Sequence, residues 1–142
     1  MQTLFALIEY SEKIHISEQF WYDVRIQRLM EMCNLLVIYI NDVYSFEKEM
    51  LEMNEDLSKM MLNIVAFHVL KYQCSVEEAF ERSLAIIRDY ESEYKELSDS
   101  IQNDPCISAE CKTFVKSLTD VCAGNFGLCL HCNRFNAIYE TK

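Results

Sequence analysis

Apolar positions recur every three or four residues along almost the whole chain, the period of a helix with one buried face. Leu4, Leu7, Ile8 and Ile14 set the first stripe and predict a short helix over residues 4–13. His15-Ile16-Ser17 interrupts it, and Ser17 is placed to cap the next helix. From Glu18 the pattern Trp21, Val24, Ile26, Leu29, Met30, Cys33, Leu36, Val37, Ile40 runs on without Gly or Pro and predicts one helix over residues 18 to about 49. At 1.5 Å per residue that helix is roughly 45–50 Å long, enough to cross a domain.

After a junction at residues 50–55, Leu57, Met60, Met61, Ile64, Val65, Phe67 and Val69 predict a third helix over residues 56–73 with these side chains buried. Ser75 and Glu78 form a capping-box pattern. A fourth helix follows from residue 76 to about 101, with Ala79, Phe80, Leu84, Ile87, Tyr90, Tyr94 and Leu97 on its apolar face. Asn103-Asp104-Pro105 ends it. Ser108 starts a last helix that is expected to run to about residue 139 despite Gly124 and Gly127. The whole of residues 1–142 reads as a single all-α domain, with no internal repeat, low-complexity tract or linker.

Composition narrows this picture. Only two Gly and one Pro leave little material for sheet turns. Seven Met, eight Tyr and eight Phe point to an adaptable, aromatic-rich core. The net charge of −10 argues against nucleic acid or an anionic membrane as partner. It does not argue against a diphosphate substrate, whose charge a metal ion neutralises locally. No apolar run reaches a membrane span, and Met1-Gln2-Thr3-Leu4-Phe5 lacks the features of a signal peptide. Seven cysteines without small-scaffold spacing read as reduced thiols, which makes the cytoplasm the expected compartment.

The candidate chemistry lies at the end of the long second helix. Asn41, Ser45 and Glu49 are spaced i, i+4, i+8, so their oxygens share one helical face and drift only about 80° over two turns. An amide oxygen, a hydroxyl and a carboxylate are hard donors that suit Mg²⁺. Lys48 stands one residue before the last of them, within reach of phosphates held by such a metal. The plain alternative is the polar face of an ordinary surface helix.

The spelling Asn41-Asp42-x-x-Ser45-x-x-Lys48-Glu49 resembles the second metal motif of class I terpene synthases of microbial type. Ser75-Val76-Glu77-Glu78-Ala79 is similar to a stretch often found after it in that family. Gly124-Asn125 matches the start of the family's Gly-Asn-x-x-Trp-Ser ending, with Leu128 and Cys129 in place of Trp and Ser. Arg134-Phe135 stands where Arg-Tyr is usual, so the resemblance makes Arg134 a diphosphate clamp and removes the Tyr hydroxyl.

The resemblance implies an antiparallel helical bundle like the C-terminal half of that fold. It implies conversion of a linear prenyl diphosphate, farnesyl or geranyl in type, to a terpene with release of diphosphate. Mg²⁺ is the implied cofactor, held by Asn41, Ser45 and Glu49, with Lys48 and Arg134 on the diphosphate. Phe67, Phe126 and Leu128 are pocket candidates by their position near the motifs. The family's Asp-rich first motif has no counterpart, because Asp23, Asp42, Asp56, Asp89, Asp99, Asp104 and Asp120 are scattered. The family's pyrophosphate-sensing Arg would fall before Met1. The chain is therefore expected to be inactive alone and to self-associate through exposed helix faces. The alternative is a non-catalytic helical bundle that binds a partner helix.

Two other patterns carry less. Glu12-x-x-His15 is half of a di-metal bundle signature and has no second copy. Cys129-x-x-Cys132 lacks the second pair that a structural zinc site needs, and small packing residues are the simpler reading.

Overall fold

Few residues in this chain can stop a helix, so the stops define the architecture. The computed structural model describes residues 2–60 and 62–132, with side chains from residue 5 onward. The described residues form six α-helices and one 3-10 turn, with no strand among them. The helices are α1 (Gln2–Glu12), α2 (Glu18–Trp21), α3 (Val24–Glu52), α4 (Ile64–Tyr72), α5 (Val76–Asn103) and α6 (Ala109–His131). No helix among the described residues is long and apolar enough to cross a membrane.

The residues cluster into two units. The first draws on Met1–Leu36 and Tyr90–Ala123, the second on Val37–Asp89 and Gly124–Lys142. Helices α3, α5 and α6 contribute to both.

The first unit is built around Phe114, which is fully buried. Phe5, Phe20 and Trp21 all meet its ring edge-on, with centroids 6.3, 6.4 and 5.0 Å away. Ile26, Leu29, Met32, Ile101 and Leu118 are buried in the same unit. The expected helix over residues 18–49 is broken at Tyr22-Asp23. The Asp23 carboxylate accepts from the backbone N–H of Arg25 at 2.8 Å, and this local bond starts a new helix. Arg25 in turn binds Asp23 at 2.7 Å and Asp104 at 3.0 Å, tying the start of α3 to the loop after α5. The break also turns Val24 outward, to 77% exposed. Leu7, expected on the inner side of α1, is exposed as well, and Phe5 and Ile16 are buried instead. Ser17 occupies the N-cap of α2 without a side-chain capping bond.

In the second unit Phe46, Met60, Val65, Ala66 and Ala79 form the core. Phe46 meets Phe80 edge-on at 5.2 Å. The helix expected over residues 56–73 is a 3-10 turn, Leu57–Lys59, followed by α4. Two side-chain caps divide it. Asp56 accepts from the Ser58 N–H, and Asn63 accepts from the N–H groups of Val65 and Ala66. Capped at Asn63, α4 turns Val65, Ala66 and His68 inward and leaves Phe67 39% exposed, not buried as expected. Gln73 closes α4 in the left-handed conformation, φ 52°.

Ser75 and Ser108 cap α5 and α6 as expected, each hydroxyl accepting from the N–H three residues on. Glu78 points toward Arg82 at 3.8 Å. Helix α6 passes through Gly124 and Gly127 and ends at His131. The rest of the helix expected to residue 139, from residue 133 on, lies outside the described residues.

Candidate functional site

Helix α3 is unbroken from Val24 to Glu52, so Asn41, Ser45 and Glu49 keep their helical spacing within the second unit. Asn41 and Glu49 are half-buried. Ser45 is 4% exposed, and its hydroxyl oxygen is buried without a hydrogen-bond partner.

Two residues outside the triad organise its surroundings. Asn63 is 2% exposed. Its Nδ2 donates to the Asp42 carbonyl at 2.9 Å and to Glu49 Oε2 at 3.1 Å. Its Oδ1 caps α4 at the same time. Asp42 Oδ2 accepts from the Ile64 N–H at 2.8 Å, so the first turn of α4 is pinned to α3 from both sides. Burial pushes the Asp42 carboxyl up to about 6, the Ile64 N–H opposes that shift, and the charge of Glu49 adds to it. The sequence reading assigned no role to Asp42 or Asn63. An Asn directly before the apolar run Ile64-Val65-Ala66 is a helix-start signal that could have marked Asn63.

The remaining candidates are dispersed. Lys48 Nζ lies 3.2 Å from Glu52 Oε1, a pairing one turn along the helix. Phe126 is 44% exposed and meets Tyr44 edge-on at 6.1 Å, one residue before Ser45. Leu128 is 58% exposed. Phe67 lies under the Lys71 ammonium at 5.2 Å. Arg134 and Phe135 lie outside the described residues. An apolar groove of about 360 Å³ in this unit is lined by Phe46, Glu47, Met50 and Leu51 of α3 together with Glu55 and Val76, and by none of the triad.

The lesser patterns resolve simply. Glu12 ends α1 and accepts from Ser117 at 3.0 Å, while Lys13 turns left-handed at φ 54° and carries His15 off the helix. All seven cysteines are free thiols. Cys129 is fully buried, and burial raises its pKa, as for a packing residue. Among the described residues no group of three or more His, Cys, Asp and Glu is placed to hold a metal ion. The candidate donors are thus the mixed oxygen set on α3.

The all-α fold agrees with the family to which the chain is similar. A family model described as terpene synthase family 2, C-terminal metal binding, matches residues 1–93, and the chain belongs to that family. It is similar to the sesterterpene synthase btcA of Colletotrichum orbiculare, with 24% identity over 138 residues. That alignment covers 96% of this chain and 19% of the relative, so the chain spans about a fifth of the curated protein it matches. No solved structure matches it.

Proposed function

We propose that this chain forms one metal-binding wall of a class I terpene synthase that takes a linear prenyl diphosphate, farnesyl or geranyl in type, and releases diphosphate. The observation that carries this reading is the Ser45 hydroxyl, buried with no partner between Asn41 and Glu49. A buried hydroxyl left unsatisfied costs about 1–3 kcal/mol, and a cation ligated at that oxygen would offset the cost. Amide, hydroxyl and carboxylate oxygens fit Mg²⁺ better than a softer ion. When bound, Mg²⁺ stabilises negative charge developing on the departing diphosphate.

The chain's own residues divide the remaining work. Asn41, Ser45 and Glu49 bind the cation. Lys48 exchanges Glu52 for diphosphate oxygens, and Arg134 supplies a second positive charge. Tyr44 with Phe126 presents an aromatic edge to the prenyl chain, and the other pocket candidates, Leu128 and Phe67, stand exposed. The scattered aspartates provide no opposing Asp-rich wall, so residues 1–142 act as part of a larger site. Leu51 and Leu62, exposed at 55% and 98%, support a second reading as a non-catalytic bundle that binds a partner helix or its own copy.

Calorimetry of the chain with Mg²⁺ and inorganic diphosphate separates the two. Metal-dependent diphosphate binding is expected, lost in Asn41→Ala and Glu49→Ala and weakened in Lys48→Ala. Absence of such binding leaves the bundle reading. Incubation with geranyl or farnesyl diphosphate is expected to give no terpene; cyclised product from this chain alone would overturn the one-wall assignment.

A further inference from the structure

We propose that Asn63 is a positioning residue that holds the Glu49 carboxylate ready for the cation and couples that carboxylate to the start of α4. The inference rests on the metal reading of Asn41, Ser45 and Glu49 above. Its basis is the double use of one buried side chain. The Asn63 carbonyl oxygen accepts from the Val65 and Ala66 N–H groups, and its amide nitrogen donates to Glu49 Oε2 and to the Asp42 carbonyl.

Capping alone does not explain the choice of residue. Ser and Asp cap a helix about as well as Asn does, because a cap needs only an acceptor. Among these, only Asn also offers N–H donors, and here both donor bonds are made toward α3. A bond to one carboxylate oxygen fixes the rotamer of Glu49 and leaves its other oxygen for a metal. Partners of this kind behind a ligand commonly tune metal affinity about tenfold to a hundredfold. Asp42 works alongside: its side chain receives the Ile64 N–H while its carbonyl receives the Asn63 amide, so α4 cannot shift without disturbing both.

The test uses Asn63→Ser, which keeps a capping acceptor and removes the amide donor, beside Asn63→Ala, which removes both. Thermal melts without metal report the cap. Electron paramagnetic resonance with Mn²⁺ and inorganic diphosphate reports the ligand. Asn63→Ser is expected to melt between the parent and Asn63→Ala, because it keeps the cap and loses the two donor bonds, while Mn²⁺ affinity falls about tenfold or more. Asn63→Ala is expected to lose both. Parent affinity in Asn63→Ser would show a purely structural cap and overturn the proposal. Equal Mn²⁺ affinity in the parent and in Glu49→Ala would instead overturn the metal reading, and with it the purpose assigned to Asn63. A metal-free measurement keeps the contact itself falsifiable. The Asn63 side-chain amide resonance should shift and exchange faster with solvent in Glu49→Ala, and an unchanged resonance would mean that Asn63 does not hold Glu49.

Discussion

The two ends of α3 treat charge in opposite ways. In the first unit Arg25 is held by Asp23 and Asp104, and Arg28 by Glu31 and Glu93. The guanidinium groups keep the Asp23 and Glu93 carboxyls below their ordinary range, and the Cys106 N–H, with Arg25, does the same for Asp104. In the second unit, the same helix places Asp42 where burial raises its carboxyl to about 6, and Glu49 takes a neutral amide as its hydrogen-bond donor. The nearby ammonium, on Lys48, faces Glu52. The first unit thus pairs these particular carboxylates with guanidinium groups. The second holds a half-buried carboxyl raised by burial and a buried, unpartnered Ser45 hydroxyl, while Asn34 Oδ1 in the first unit is also buried without a partner.

The largest expected effect tests whether the first unit is the structural one. Phe114→Ala removes the ring that Phe5, Phe20 and Trp21 surround. It should cost about 3–5 kcal/mol in denaturant unfolding, more than any polar change in the second unit. A loss below about 1 kcal/mol would show that the aromatic cluster does not carry that unit's core.

Asp42→Asn tests the sign of the contrast. The folded carboxyl, at about 6, lies above the ordinary value of 3.8, so the unfolded chain gives up its proton first as pH rises. The penalty is absent below about pH 4, grows to about pH 6 and is complete above it. Asp42→Asn keeps an acceptor for the Ile64 N–H. It should stabilise the metal-free protein by about 1–2 kcal/mol at pH 8, less than full linkage because the group is only half-buried. Asp23→Asn should do the opposite. The carboxyl lowered by Arg25 contributes stability above the carboxylate range, and that contribution is lost as pH falls through it. Unfolding curves of both variants across pH check the pair, and slopes of the same sign would erase the contrast.

Ser45→Ala is the smallest and most pointed change. Removing an unpartnered buried oxygen should raise metal-free stability by about 1 kcal/mol. It should also weaken Mg²⁺ binding. Melts with and without Mg²⁺ read both, and a variant less stable than its parent without metal would mean that the hydroxyl already has a structural partner.

Residues 1–142 by themselves determined the helical class. So few Gly and Pro residues, with apolar side chains every three or four positions, leave no other regular structure open. They also determined the triad's common face, because an i, i+4, i+8 relation is local and follows from helix geometry alone. Ser75 and Ser108 were legible for the same reason, since a cap is read within four residues. The stops at Asp23 and Asn63 carry a local signal of the same kind, but the apolar period runs on through them and masks it. Only the tertiary structure decided the rest. Asn63 meets Glu49 and Asp42 from 14 and 21 residues away once the chain turns back on itself. Whether the Ser45 hydroxyl is wet or stranded, and whether Asp42 titrates like a surface carboxylate or near 6, depends on what packs over them. Helical spacing sets the direction of a side chain, but burial and partners come from the elements folded against it.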